Sequence, residues 1–122
     1  MINLSVSDKG FAIIKDSKTL KAKGFRSVDK REAILRNIQR GVLEALNHVN
    51  HEDLLIIELS DGYTHRWLTS EKASKSYTKM YSATKQTLNK LICRYRLVLN
   101  KKVKVDSLDL EYPIVATTNF DM

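Results

Sequence analysis

The sequence predicts one α/β domain: a mixed sheet opened by an antiparallel three-strand meander, with two long helices against it. Three observations carry this. Leu54-Leu55-Ile56-Ile57 is a short apolar run with β-branched residues, closed by the turn signal Ser60-Asp61-Gly62, as a strand buried on both faces would read. The first 25 residues read as three short strands between turn signals, the first of them, Ile2 to Ser7, alternating apolar and polar. Two later stretches repeat apolar residues at helical spacing.

In chain order, Ile2 to Ser7 alternates as a half-buried strand does, and Asp8-Lys9-Gly10 signals a tight turn. Phe11 to Ile14 reads as the returning strand, Asp16-Ser17-Lys18 as a second turn, and Thr19 to Phe25 as a third strand with Leu20 and Ala22 on one face. A long helix is expected over 29–49. Asp29 with Glu32 three residues later resembles a capping box, and Leu35, Ile38, Val42, Leu46 and Val49 form the apolar stripe. Gly41 inside a helix costs about 1 kcal/mol against Ala, which suggests close packing on the sheet.

The central strand follows at 54–59. Tyr63 to Leu68 extends as a strand or begins a short helix, and Thr69 or Ser70 with Glu71 reads as a helix start. The second long helix is expected to run to about Tyr95, burying Tyr77, Met80, Tyr81, Thr84, Leu88, Leu91, Ile92 and Tyr95. Residues 103–107, with Val103 and Val105 around Lys104, read as a last strand. The core is expected within 1–107, with an acidic tail at 108–122.

The chain has 122 residues, enough for one domain with a real core and too few for two. Hydrophobic residues make up 43% and charged residues 29%, an ordinary globular balance. No apolar run is long enough to span a membrane, no signal peptide is evident, and no Gly-rich phosphate loop points to a nucleotide cofactor. Cys93 is the single cysteine. It reads as a packed small hydrophobe, and a cytoplasmic location is expected. His48 and His51, near Glu52 and Asp53, have metal-ligand chemistry but no defined third ligand.

Charge is segregated. The net is +7 overall, yet residues 9–40 carry +7, residues 41–61 carry −5, residues 62–104 carry +10 and residues 105–122 carry −4. Polyanions are the natural partner of a basic face. On a continuous second helix, Lys72, Lys75, Lys79, Lys90 and Arg94 would share one outward line, which Lys101, Lys102 and Lys104 continue. These residues and Arg66 are the candidate nucleic-acid contacts. Tyr63, His65 and Trp67 are available to stack bases, and Trp67 is expected to be partly buried against the second helix.

The order β-β-β-α-β-α-β, with Asp8 at the end of strand one, Glu32 near the start of helix one and Asp61 after strand four, resembles the ribonuclease H-like superfamily. The stretch Asp8 to Ile13, with Gly10 before the returning strand, is similar to the resolvase and transposase branch. The resemblance implies a carboxylate triad of Asp8, Glu32 and Asp61, with Asp8 and Asp61 side by side as metal ligands and Glu32 above them. Hard oxygen ligands from separate elements are what a pair of Mg²⁺ ions roughly 4 Å apart requires. The family's fourth acid has no evident counterpart, since Asp106 and Asp109 stand outside its usual helix. Asp61 before Gly62 has an equally direct structural reading as turn chemistry or a helix cap.

Three functions fit these residues. The first is a small basic nucleic-acid-binding protein on a ribonuclease H-like scaffold without a complete catalytic set. The second is a Mg-dependent nuclease using Asp8, Glu32 and Asp61. The third is a non-enzymatic interaction or inhibitor protein that binds an acidic protein surface, as small phage or mobile-element chains often do.

Overall fold

The computed structural model describes residues 1–23, 25, 27–70 and 78–103. Strands β1 (Ile2–Ser7), β2 (Gly10–Lys15) and β3 (Lys18–Lys23) form the expected antiparallel meander. Asp16 and Ser17 both take positive φ, 52° and 64°, the pairing that a two-residue primed turn needs to match strand twist. Helix α1 (Lys30–Ala45) leads to β4 (Leu54–Leu59), then α2 (Gly62–Thr69), α3 (Thr78–Leu88) and β5 (Arg94–Leu99). The sheet order is β3-β2-β1-β4-β5, with β1 parallel to β4 and β4 parallel to β5.

The core lies between the sheet and the helices. Ile2, Leu4 and Val6 of β1, Phe11 and Ile13 of β2, and Leu55, Ile57 and Leu59 of β4 point to one side and are fully buried. They meet Leu35, Ile38 and Val42 of α1 and Tyr81 and Leu88 of α3. Gly41 is where α1 comes closest to the sheet. A Cβ there would stand 2.6 Å from Leu4 Cδ1, so a side chain would push the helix off the strand it covers.

Several sequence expectations give way to the tertiary arrangement. The central strand is buried on one face only: Leu55, Ile57 and Leu59 are buried, while Leu54, Ile56 and Glu58 on the other face are half-buried. Glu58 accepts hydrogen bonds from Asn3 Nδ2 at 3.1 Å and Asn100 Nδ2 at 2.6 Å, joining β1, β4 and the end of β5. Helix α1 ends at Ala45, four residues short of the expected limit. Leu20, expected on an apolar face, is 40% exposed.

The larger correction concerns residues 62–99. Of the two alternatives at Tyr63 to Leu68 the short helix is the one formed, as α2; the long helix expected to reach Tyr95 ends as α3 at Leu88, and Arg94 to Leu99 is a strand paired along its length with β4. Arg-Tyr-Arg-Leu-Val-Leu alternates with period two, and Tyr95, Leu97 and Leu99 share the pleat direction of Leu55, Ile57 and Leu59. Ile92 and Tyr95, expected in the helix stripe, are 48% and 38% exposed. Of the strand expected at 103–107, Val103 is not in a strand and residues 104–107 lie outside the described residues, as does Tyr77.

One polar side chain crosses the core. Asn37 on α1 is fully buried. Its Oδ1 accepts from the Phe25 backbone N–H at 2.9 Å, and its Nδ2 donates to the Phe25 carbonyl at 2.9 Å and the Ser7 carbonyl at 3.0 Å. It bonds three backbone groups and joins the end of β1 to the β3–α1 connection. Replacing Asn37 by Leu keeps the volume and orphans all three, each worth about 1–3 kcal/mol when buried. Asn37→Leu should lose about 3 kcal/mol or more of stability, measured by urea denaturation. A loss under about 1 kcal/mol would mean the connection is held by other contacts.

Candidate functional site

The parallel pair β1 and β4 ends at the same sheet edge. Their register matches Val6 to Leu59, and Ser60 N–H donates to the Val6 carbonyl at 3.1 Å. Continuing that register by two residues sets Asp8, in the β1–β2 turn, opposite Asp61, just past β4. Both line a cleft of about 530 Å³. Lys30 and Arg31 from the first turn of α1, and Lys101 from the turn after β5, complete its charged lining. An open α/β sheet offers its ligand crevice at this place, where strand connections diverge to either side.

Asp61 has a structural task already. It is the N-cap of α2, accepting from the Tyr63 N–H at 3.1 Å, the Thr64 N–H at 2.9 Å and the Thr64 hydroxyl at 2.5 Å. A carboxylate with these three donors is held by the helix it starts. Asp29 caps α1 in the same way, accepting from Arg31 and Glu32 N–H at 3.0 and 3.2 Å.

Glu32 is 1% exposed and is not part of the cleft lining, and its Oε1 makes no hydrogen bond. Burial pushes its carboxyl above the usual glutamate range; the negative charge of Asp29 adds to this and the positive charge of Arg36 opposes it. Tyr81, fully buried on α3, is likewise raised by burial, with the Thr64 hydroxyl and the Arg31 charge acting against the shift. Cys93 is buried and raised by burial, a packed thiol and a poor nucleophile.

The basic line expected on one helix face is dispersed. Lys79 is exposed on α3, Lys90 is exposed in the turn after it, and Arg94 is exposed at the start of β5. Lys72, Lys75 and Lys104 lie outside the described residues. Lys102 is exposed beside Lys101. Arg66 is exposed on α2 and lines a second, smaller groove with Tyr63, Trp67 and Ser70. Trp67 is partly buried, its ring centroid 6.2 Å from Tyr81 on α3 and 5.8 Å from Tyr63. His65 Nε2 is 3.1 Å from the Leu97 carbonyl, within β5. That contact ties the His65 ring to the sheet edge.

No protein-family model and no curated protein matches the sequence. Solved structures do match in shape. RNase H1 from the halophilic archaeon Halobacterium salinarum NRC-1 superposes with a TM-score of 0.70 at 9% identity, over 88% of this chain and 92% of that one. The N-terminal RNase H domain of rv2228c from Mycobacterium tuberculosis, solved as a fusion with maltose-binding protein, gives a TM-score of 0.57 at 11% identity, over 84% of this chain and 86% of that domain. The fold is ribonuclease H-like.

On this ribonuclease H-like scaffold two of the three expected carboxylates line the cleft. Asp8 and Asp61 line the cleft, Glu32 is buried and does not line it, and among the described residues no three His, Cys, Asp or Glu side chains are placed to hold a metal ion. His48 and His51 are included in that statement. A pair of Mg²⁺ ions needs several hard oxygen ligands with open positions. Two acids line the cleft among three cations, and one of them, Asp61, also caps α2. The sequence identified the acids by type but carried no sign that Lys30 and Arg31 would turn into the same crevice. Nor did it show that Glu32 would turn inward.

The burial of Glu32 has a pH signature. Its folded-state affinity for a proton exceeds that of the unfolded chain, so the stability it contributes is complete below about pH 4.3 and is lost as pH rises through the raised folded value. Glu32→Gln, which cannot ionise, should be more stable than the parent at pH 7 and lose that advantage below about pH 4. Urea midpoints across pH 3.5–8 test this. An advantage independent of pH would mean that the Glu32 charge is not what costs stability.

Proposed function

We propose that this chain binds nucleic acid through the crevice at the ends of β1 and β4, and holds it without cleaving it. The convergence of Lys30, Arg31 and Lys101 from two separate elements on one cleft carries this reading. Cations supplied from a helix start and a distant turn form a point of attachment for backbone phosphates, which position a nucleic acid without reading its sequence. The net charge of +7 supplies longer-range attraction. RNase H proteins are the structural neighbours, and a nucleic-acid ligand is consistent with that likeness.

The absence of cleavage rests on the donor set. Asp61 is occupied by the backbone of α2, and Glu32 is removed from the cleft by burial. Asp8 is left as the one cleft carboxylate without a capping task, too few ligands to organise metal-assisted hydrolysis. The two acids instead limit how closely phosphates approach the crevice floor and leave the lysines on its rim as the points of contact.

Binding should weaken steeply with salt, with a logarithmic slope of roughly 0.7–0.9 per phosphate contacted. Lys30→Gln and Lys101→Gln should each lower affinity for all sequences alike and reduce that slope by about one. Anisotropy of a labelled oligonucleotide over a salt series measures both. The same protein incubated with Mg²⁺ and RNA–DNA hybrid, branched DNA or single strands should leave them intact. Cleavage abolished by Asp8→Asn would establish the nuclease instead. No binding to any nucleic acid would favour an acidic protein surface as the partner.

A further inference from the structure

We infer that the groove on α2 formed by Tyr63, Arg66, Trp67 and Ser70 receives one unpaired base, which makes single-stranded nucleic acid the preferred ligand. The inference rests on the proposed phosphate-binding role of the neighbouring cleft and adds what that cleft cannot supply, a choice between paired and unpaired strands.

The four residues recur at positions i, i+3, i+4 and i+7 of one short helix and its cap, so they share one face. They line a groove of about 440 Å³, within the roughly 300–1,000 Å³ of small-ligand sites. Tyr63 is 43% exposed, unusual for a large aromatic ring with core neighbours close by. Trp67 is half-buried, braced from behind by Tyr81. The two rings are tilted 53° to each other. They pack as a tilted aromatic pair, and both rings line the groove, offering π surface to a flat group.

The groove and the cleft are joined by one contact between their lining residues. Arg31 lines the cleft and also lies over the Tyr63 ring, its guanidinium carbon 4.0 Å from the ring centroid. Arg31 therefore marks the boundary between a cationic compartment and an aromatic one. Phosphates on the Arg31 side would set the attached base toward Tyr63 and Trp67. Arg66, exposed on the far side, is placed for the next phosphate. Alternating cations and π faces along a groove is the chemistry of sequence-tolerant single-strand binding. A paired base keeps its faces inside the duplex stack and has none to offer.

Trp67 is the single tryptophan of the chain, so its fluorescence reports on this groove alone. The full chain is titrated with four probes of equal length: oligo(dT), oligo(U), the same deoxy strand with abasic sites replacing its bases, and a duplex. Anisotropy and Trp67 emission are read together. Oligo(dT) should quench Trp67 and bind roughly tenfold or more tightly than the abasic strand, as stacking one base on an aromatic side chain implies. Tyr63→Ala, at an exposed position, should remove most of that difference. Oligo(U) bound more tightly than oligo(dT) would assign RNA, and the reverse DNA; both support the groove. Equal affinity for abasic and base-bearing strands with unmoved Trp67 emission would overturn it while leaving the phosphate cleft standing. Failure of all four probes to bind would overturn the cleft as well.

Discussion

The buried amide of Asn37 holds the cleft in place. It bonds three backbone groups at the junction of β1 and the β3–α1 connection, where buried polar groups need partners. With it, the start of α1 is held against the end of β1. That placement puts Lys30 and Arg31 beside Asp8. The connection is held from outside as well: the Phe25 ring is buried, with the guanidinium carbons of Arg36 and Arg40 at 4.6 and 5.4 Å from its centroid. Gly41, seated on Leu4 one turn further along, sets the depth of the same helix on the sheet.

The lower half of α1 is fixed by a different polar contact. Gln39 donates to the Thr84 hydroxyl at 2.9 Å, and Thr84 donates to the Met80 carbonyl within α3. Helices α1 and α3 are thus joined by a hydrogen bond inside an otherwise apolar contact, where its geometry defines rotation as packing alone would not. Tyr81, on the same helix, supports Trp67 from below. The aromatic groove therefore depends on a helix that contributes none of its lining side chains.

A ribonuclease H-like sheet edge is a general place for ligands, and its chemistry is decided by which side chains face the edge. Here Asp61 is spent on starting α2 and Glu32 on filling space under α1. A carboxylate capping a helix is stabilised by the dipole and two N–H donors; a buried carboxylate favours its neutral form. Each environment gives its carboxylate a structural task by a distinct physical route. Meanwhile the first turn of α1, the turn after β5 and the outward face of α2 bring cations and aromatic rings to neighbouring positions.

By itself the sequence determined the elements whose cause is local. Alternation in Ile2–Ser7, the paired turn at Asp16-Ser17, the cap at Asp29 and the stripe of Leu35, Ile38 and Val42 each follow from the geometry of a few adjacent residues. It also showed that Asp61 was as good a cap as a ligand, that Gly41 marked close packing, and that the order of elements resembled one superfamily. Tertiary structure alone decided the rest. Arg94 to Leu99 has both helical and strand periodicity in so short a span, and pairing with β4, forty residues earlier in the chain, resolved it as a strand. That choice dispersed the basic line, because a face shared along one helix is not shared between a helix, a turn and a strand. Whether Glu32 turned into the core, and whether Lys30, Arg31 and Lys101 met, depended on how α1 seats on the sheet. Asn37 and Leu4 control that seating through contacts between residues distant in sequence, which local periodicity does not encode.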